Sequence, residues 1–311
     1  MTNKEKRLEQ MAKGMEELGL WLEDMIRQGL GQLEGQGAQS LDRFAARMVD
    51  AKLGSVGRRI RNWKNLLEQP VWEEPLLAEM GELFLLVRAF RQAETLPEDL
   101  LPDLLQYAGL SVRKEELLAG PLVEGHWAVI GIAAGDEENL RFRRTWLQRQ
   151  EDGSFALLLD FSFGGQPFER NWKLGRLYAG TLAFYPSAYP QRAAAADLNR
   201  TDAEGLPFTG YLSLDGLSKH YAAALQVQPW LQRFPALLEN VRPLKNDKED
   251  WLLLDENLQS IAIGAEGPTG WTLLSVSGAR PIDVFGEWNG ATFQPLSCLS
   301  AGRLIGLAPS E

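Results

Sequence analysis

Over the first third of the chain, apolar residues recur at alternating three- and four-residue steps. Leu8, Met11, Met15, Leu18, Leu22 and Met25 fall on one stripe of a long helix. Gly29, Gly31, Gly35 and Gly37 dilute that stripe, so the helix is expected to end near Leu33. Ser40 stands where an N-cap would open a second helix carrying Leu41, Phe44, Ala45 and Met48. Gly54 and Gly57 are expected to interrupt it before Ile60, Trp63 and Leu67 resume a helical stripe. A fourth helix should follow Pro75, with Leu76, Met80, Leu83, Leu86 and Phe90 inward, and a fifth should follow Pro97.

From about Pro121 the period changes to two. Phe155, Leu157, Leu159, Phe161 and Phe163 alternate with Ala156, Leu158, Asp160 and Ser162, which predicts a strand with one strongly apolar face. Asp152-Gly153 just before it signals a hairpin with Leu140–Gln150, and Asn289-Gly290 repeats the device between Ile282–Trp288 and Ala291–Ser297. Ala128–Ile132, Thr181–Tyr185, Trp251–Leu254, Ile261–Ile263 and Trp271–Val276 read as further short strands. Leu217 to Val241 reads as helical, broken into pieces by Pro229 and Pro235. Ala188 to Gly210, with alanines at 193 to 196, reads as a helical connection or a loop. The expected fold class is therefore α+β, a helical bundle over 1–120 followed by a mostly antiparallel β-rich domain over 121–311 with a helical insertion near 217–241.

Composition sharpens this picture in three ways. A length of 311 residues exceeds what one core usually holds, which supports two domains. The formal charge of −10 argues against a general nucleic-acid binder, because phosphate contacts draw on clustered cations. The single cysteine, Cys298, excludes an intramolecular disulfide and suits a reducing compartment, where a buried structural thiol is the expectation. The charged amino-terminal stretch lacks the apolar core of a secretion signal, and no segment has the length of uninterrupted apolar residues that a membrane span requires. A cytoplasmic location, with no membrane association, is expected.

Candidate chemistry is sparse. Zinc needs clustered Cys and His, and the chain has one Cys and two widely separated histidines, His126 and His220. No nucleophile elbow is present, and Ser275-Val276-Ser277-Gly278 lacks its leading glycine. Acidic doublets such as Glu73-Glu74 and Glu137-Glu138 point about 100° apart on a helix and do not converge as an acid and base must. No catalytic residue, metal ligand or cofactor is predicted. One basic patch stands out: Gly54-Ser55-Val56-Gly57 leads into Arg58, Arg59, Arg61 and Lys64, a turn and helix that would hold phosphate through backbone N–H groups and guanidinium contacts. Arg141, Arg143 and Arg144 form a second basic cluster on a strand. Trp172 and the Tyr185-Pro186…Tyr189-Pro190 segment are candidate partner contacts, since a rigid aromatic-proline loop presents area at little entropy cost.

Several blocks resemble one bacterial family, the SWIM zinc-finger proteins, in the part that follows the finger. They are LWLEDMIRQGL (20–30), AARMVDAKLGSVGRRIRNW (45–63), VRKEELLAG (112–120), RFRRTWLQRQEDGSFALLLDFSFGGQPFER (141–170) and LAFYPSAYPQRA (182–193). VFGEWNGATFQPLS (284–297) adds a fainter likeness. The family's C-x-C and C-x-H pairs are absent, so no zinc ligand carries over and the chain reads as the downstream region standing alone. The resemblance implies a multi-protein system in which such proteins are encoded beside a MoxR-type AAA+ ATPase and a von Willebrand factor A protein. The expectation is a non-enzymatic adaptor that works with those proteins or with a finger-bearing subunit. The alternative is a nucleic-acid-associated protein using Arg58 to Lys64. An enzyme with a site assembled from residues distant in sequence ranks third.

Overall fold

The computed structural model describes residues 3–33, 37–110, 112–137, 140–207, 210–264 and 268–307. The chain divides into two compact units, Met1–Val112 and Arg113–Glu311.

The first unit is helical: α1 (Asn3–Gln28), α2 (Gly37–Asp50), α3 (Gly54–Leu67), α4 (Glu73–Arg91) and α5 (Leu101–Ala108), with a short 3-10 turn at Leu30–Leu33. The apolar stripe of α1 is buried as its spacing predicts, with Met11, Met15, Leu18 and Leu22 almost fully enclosed. Trp21 stacks on Phe44 of α2, with ring centroids 4.0 Å apart, and on Trp63 of α3 at 5.7 Å. Two sequence expectations need correction. Ser40 lies inside α2 rather than at its cap. The expected break is present but falls at 51–53, just before the glycines: α2 ends at Asp50, Gly54 opens α3 and Gly57 sits within it. The reason at Gly57 is packing: a Cβ there would lie 2.7 Å from the Ala45 carbonyl oxygen, so α2 and α3 approach only because position 57 has no side chain.

The second unit begins with a short helix, α6 (Lys114–Leu118), which packs on the strands that follow. Next come β1 (Val123–Glu137), β2 (Leu140–Arg149), β3 (Phe155–Phe163), β4 (Arg176–Phe184) and β5 (Arg192–Glu204). These five close into a barrel in the order β1-β2-β3-β5-β4, with β4 returning to pair with β1. All pairings are antiparallel except the seam between β3 and β5, which is parallel and only two residue pairs long, Leu157 with Arg192 and Leu158 with Ala193. The barrel interior is Trp127, Val129, Leu147, Ala156, Leu158, Trp172, Tyr178, Leu182, Ala193 and Leu198. The alanine run expected to be helix or loop is therefore strand β5. Small side chains suit it, because Ala193 and Ala194 are buried where the barrel wall is crowded.

A six-stranded sheet follows, in the order β11-β10-β9-β6-β7-β8. Its strands are β6 (Phe234–Lys245), β7 (Trp251–Leu254), β8 (Ser260–Ala262), β9 (Ile282–Trp288), β10 (Phe293–Ser300) and β11 (Arg303–Gly306), with helices α7 (Leu214–Val227) and α8 (Thr269–Ser277) inserted. One face, with Phe234, Ala236, Leu238, Val284, Phe293 and Cys298, packs with Leu217 and Leu273 of the two helices. The opposite face presents Leu237, Phe285 and Leu296 to Ala128, Ile130 and Trp146 of the barrel. Gly131, at a bulge in β1, makes that contact close: a Cβ there would lie 2.5 Å from the Phe285 ring.

Two more expectations are corrected here. The helical segment placed at 217–241 covers α7 but ends with it, and Phe234 onward is strand β6. Pro235 is tolerated near the strand's start, and the run Phe234–Leu238 is buried on both faces, which a pattern of period two cannot reveal. Trp271–Val276, expected as a strand, is helix α8, closed by Gly278 in the left-handed conformation (φ 56°). Of its apolar residues only Leu273 is fully enclosed, while Trp271 stands 56% exposed.

Candidate functional site

The basic patch on α3 is largely committed to its own unit. Arg59 donates from Nε and Nη2 to Glu79 at 3.0 and 2.9 Å, from Nη2 to Glu82 at 2.7 Å, and bonds the Tyr107 hydroxyl. Burial lowers the pKa of its guanidinium, and Tyr107, Glu79 and Glu82 more than offset that, leaving it above the ordinary value. Lys64 pairs with Asp42 at 2.5 Å, while Arg58 is exposed and Arg61 half-buried on the same helix. Gly54–Gly57 is the first turn of α3, not a loop before it.

Of the aromatic candidates, Trp172 is corrected: it is a core residue, only 5% exposed. Its ring meets Tyr178 edge-on at 5.0 Å and its Nε1–H donates to Asp160 at 3.1 Å, which satisfies the indole inside the barrel. Tyr185 is half-buried under the Arg192 guanidinium, 4.3 Å from ring centre to Cζ. Tyr189 is half-buried against Phe234, with its hydroxyl pushed up by burial. His126 bonds Glu151 through Nδ1 at 2.8 Å, and His220 contacts the Gly216 carbonyl at 2.9 Å, a one-turn spacing on α7. Among the described residues no group of three His, Cys, Asp or Glu is arranged to hold a metal.

Sequence reasoning missed two features of the barrel. The first is a recess of about 80 Å³ where β3 and β5 part beyond their two paired residues. Lys114, Leu158, Asp160, Glu169, Arg170, Trp172, Tyr185 and Arg192 are among the residues that line it. Asp160 is held by Arg143, from Nη2 at 2.8 Å and Nε at 3.3 Å, with Phe168 stacked on the same guanidinium at 4.4 Å. The second is the outer face of the β2–β3 hairpin. Register places Phe142 opposite Phe161 and Leu140 opposite Phe163. Phe161 and Phe163 are 45% and 67% exposed, while farther along the same face Trp146, Phe155 and Leu157 are covered by Phe285 of the second sheet. The alternation of β3 was visible in the sequence. That the second sheet covers only one end of its apolar face was not.

Trp146 and Arg144 of that hairpin converge on Glu287, a carboxylate 5% exposed. Arg144 grips it with Nε and Nη2 at 2.9 and 3.1 Å, and Arg233 approaches at 3.3 Å. This cluster ties the barrel to the sheet across a buried interface.

The helical unit is the part of the chain that comparison identifies. Residues 6–108 match the family model of the SWIM-associated four-helix bundle domain, and the match stops at the last residue of α5. The match is consistent with the resemblance that the sequence blocks carry. No curated protein and no solved structure matches the chain. No described helix is long and apolar enough to cross a membrane.

Proposed function

We propose that the chain is a non-enzymatic protein-interaction module of a SWIM-type system, an adaptor whose contact surface is the open end of the β2–β3 face. The exposure of Phe161 and Phe163 side by side carries this reading. Two neighbouring phenyl groups left in water on a strand that is otherwise covered mark a surface with an occupant. The partners implied by the family resemblance are an AAA+ ATPase and a von Willebrand factor A protein. Purified candidates of these two classes should be retained by the immobilised chain and released by the double substitution Phe161→Ser, Phe163→Ser. Equal retention by the double variant would remove this face from consideration. Absence of binding by the unaltered chain would remove the adaptor reading for those partners.

One observation favours a second reading, association with single-stranded nucleic acid. The strand order β1-β2-β3-β5-β4 with one parallel seam has the topology of small Greek-key barrels of the OB type. Such barrels bind oligonucleotides and oligosaccharides on the face of their second and third strands. Phe142, Phe161 and Phe163 lie there, and stacking on aromatic rings is how such faces hold bases. On this reading the contact would be made by the barrel and not by Arg58, Arg59, Arg61 and Lys64. A labelled oligothymidylate would then bind at low salt and dissociate steeply as salt rises. An unchanged anisotropy at low salt would dispose of the idea.

A further inference from the structure

We infer that the recess between β3 and β5 is a binding site for a small phosphate monoester, separate from the aromatic contact face. The charge around it is the starting point. Asp160 is neutralised by Arg143, which leaves Lys114, Arg170 and Arg192 against Glu169. Lys114 and Glu169 are both exposed and oppose one another at the rim in charge, so two guanidinium groups remain in excess.

Neither Arg170 nor Arg192 closes an ion pair among the described residues, and the Nη1 of Arg170 is buried with no hydrogen-bond acceptor among them. A buried guanidinium nitrogen without an acceptor is costly unless a ligand supplies one. Each of the two arginines has its guanidinium over an aromatic ring, Arg170 at 5.6 Å from Trp172 and Arg192 at 4.3 Å from Tyr185. A ring contact of this kind leaves guanidinium N–H groups free to bind an oxyanion, and such groups suit bidentate recognition.

Two uncompensated positive charges select the ligand. A monoester phosphate carries nearly two negative charges at neutral pH, whereas a diester or a carboxylate carries one. The recess holds about 80 Å³, well below the volume of a drug-sized pocket, so it seats one small group of a ligand and not the whole molecule. The site therefore takes a terminal phosphate on a small molecule, not the internal phosphates of a nucleic acid.

The Trp172 indole N–H, bonded to Asp160 in the wall, is a built-in reporter. The full chain with 15N-labelled tryptophan would be titrated with phenyl phosphate, dimethyl phosphate and acetate at constant ionic strength, with a Trp172→Phe spectrum used only for assignment. Phenyl phosphate is expected to shift the Trp172 signal saturably, with the diester and acetate about tenfold weaker or worse. Binding should fade below about pH 6, where the monoester gains its second proton. Arg192→Gln and Arg170→Gln should each weaken it by about tenfold or more, the order expected for one lost charge-assisted bond, and Arg192→Lys should restore part of the loss. The Phe161→Ser, Phe163→Ser variant should bind phenyl phosphate unchanged, which separates failure of this site from failure of the contact face. Equal binding of monoester and diester, or an unaltered titration in both glutamine variants whose spectra show a folded protein, would overturn the assignment.

Discussion

The indole N–H of Trp146 donates a 2.8 Å hydrogen bond to the buried carboxylate of Glu287, joining residues 141 positions apart in the chain. Arg144 and Arg233 complete the environment of that carboxylate, and burial together with the charge of Arg144 lowers the pKa of Arg233 while Glu287 raises it again. Removing the carboxylate leaves two guanidinium groups facing each other beside an orphaned indole. Glu287→Ala should destabilise the second unit by about 3–5 kcal/mol. Glu287→Gln, which keeps an acceptor for Trp146, should cost less. Urea melts followed by tryptophan fluorescence would measure both, and equal stability of Glu287→Ala and the parent would show that the cluster contributes nothing.

Arg59 plays the matching part in the helical unit, where one guanidinium links α3 to Glu79 and Glu82 of α4 and to Tyr107 of α5. Arg59→Ala should lower the stability of that unit by about 1.5–3 kcal/mol, the range for hydrogen bonds to charged groups. The expected signature is an earlier loss of helical circular dichroism on heating, with the β-rich unit unaffected.

Phe161 and Phe163 make the opposite prediction. Both are exposed, so replacing them with serine should change stability by no more than about 0.5 kcal/mol while abolishing retention of the partner. A large loss of stability would mean that these rings serve the fold.

Cys298 is buried, and its thiol pKa is pushed up to about 11 by that burial. Folding thus favours the neutral thiol. Its contribution is fully present below the unfolded thiol pKa, near 8.5, and is lost as pH rises from there through about 11, because the unfolded state ionises first. Stability should fall across that alkaline window, and Cys298→Ser should flatten this part of the profile. At neutral pH a thiol reagent should label Cys298 only in denaturant.

How far the sequence revealed the fold follows from where its signals are local. The Asp152-Gly153 turn is local: Gly153 has φ 76° and Arg149 and Ser154 hydrogen-bond across it. Asn289-Gly290 is local as well, with the Asn289 side chain accepting from the amides of Ala291 and Thr292. The stripe of α1 is legible for the same reason. The alanines of β5 carry no period, and only the barrel wall around them decides between helix and strand. Trp271 to Val276 is apolar and β-branched enough to read as a strand, yet the Gly278 cap and the close seat of Gly270 on Trp251 make it a helix. The recess was out of reach altogether, since Lys114, Asp160, Arg170 and Arg192 come from four separate segments that meet only when the barrel closes.

The brevity of the β3–β5 seam also sets an order of events. β2 and β3 are joined by a tight turn and can zip as neighbours, whereas β5 reaches β3 only after β4 has crossed back to β1. Closure is therefore expected late in folding, after the loop entropy of the intervening chain has been overcome. The same two-pair stave is the first to part when the native state fluctuates. The amide of Leu157, which donates to the Gln191 carbonyl at 2.7 Å, should exchange with solvent hydrogen faster than those of the long β1–β2 ladder.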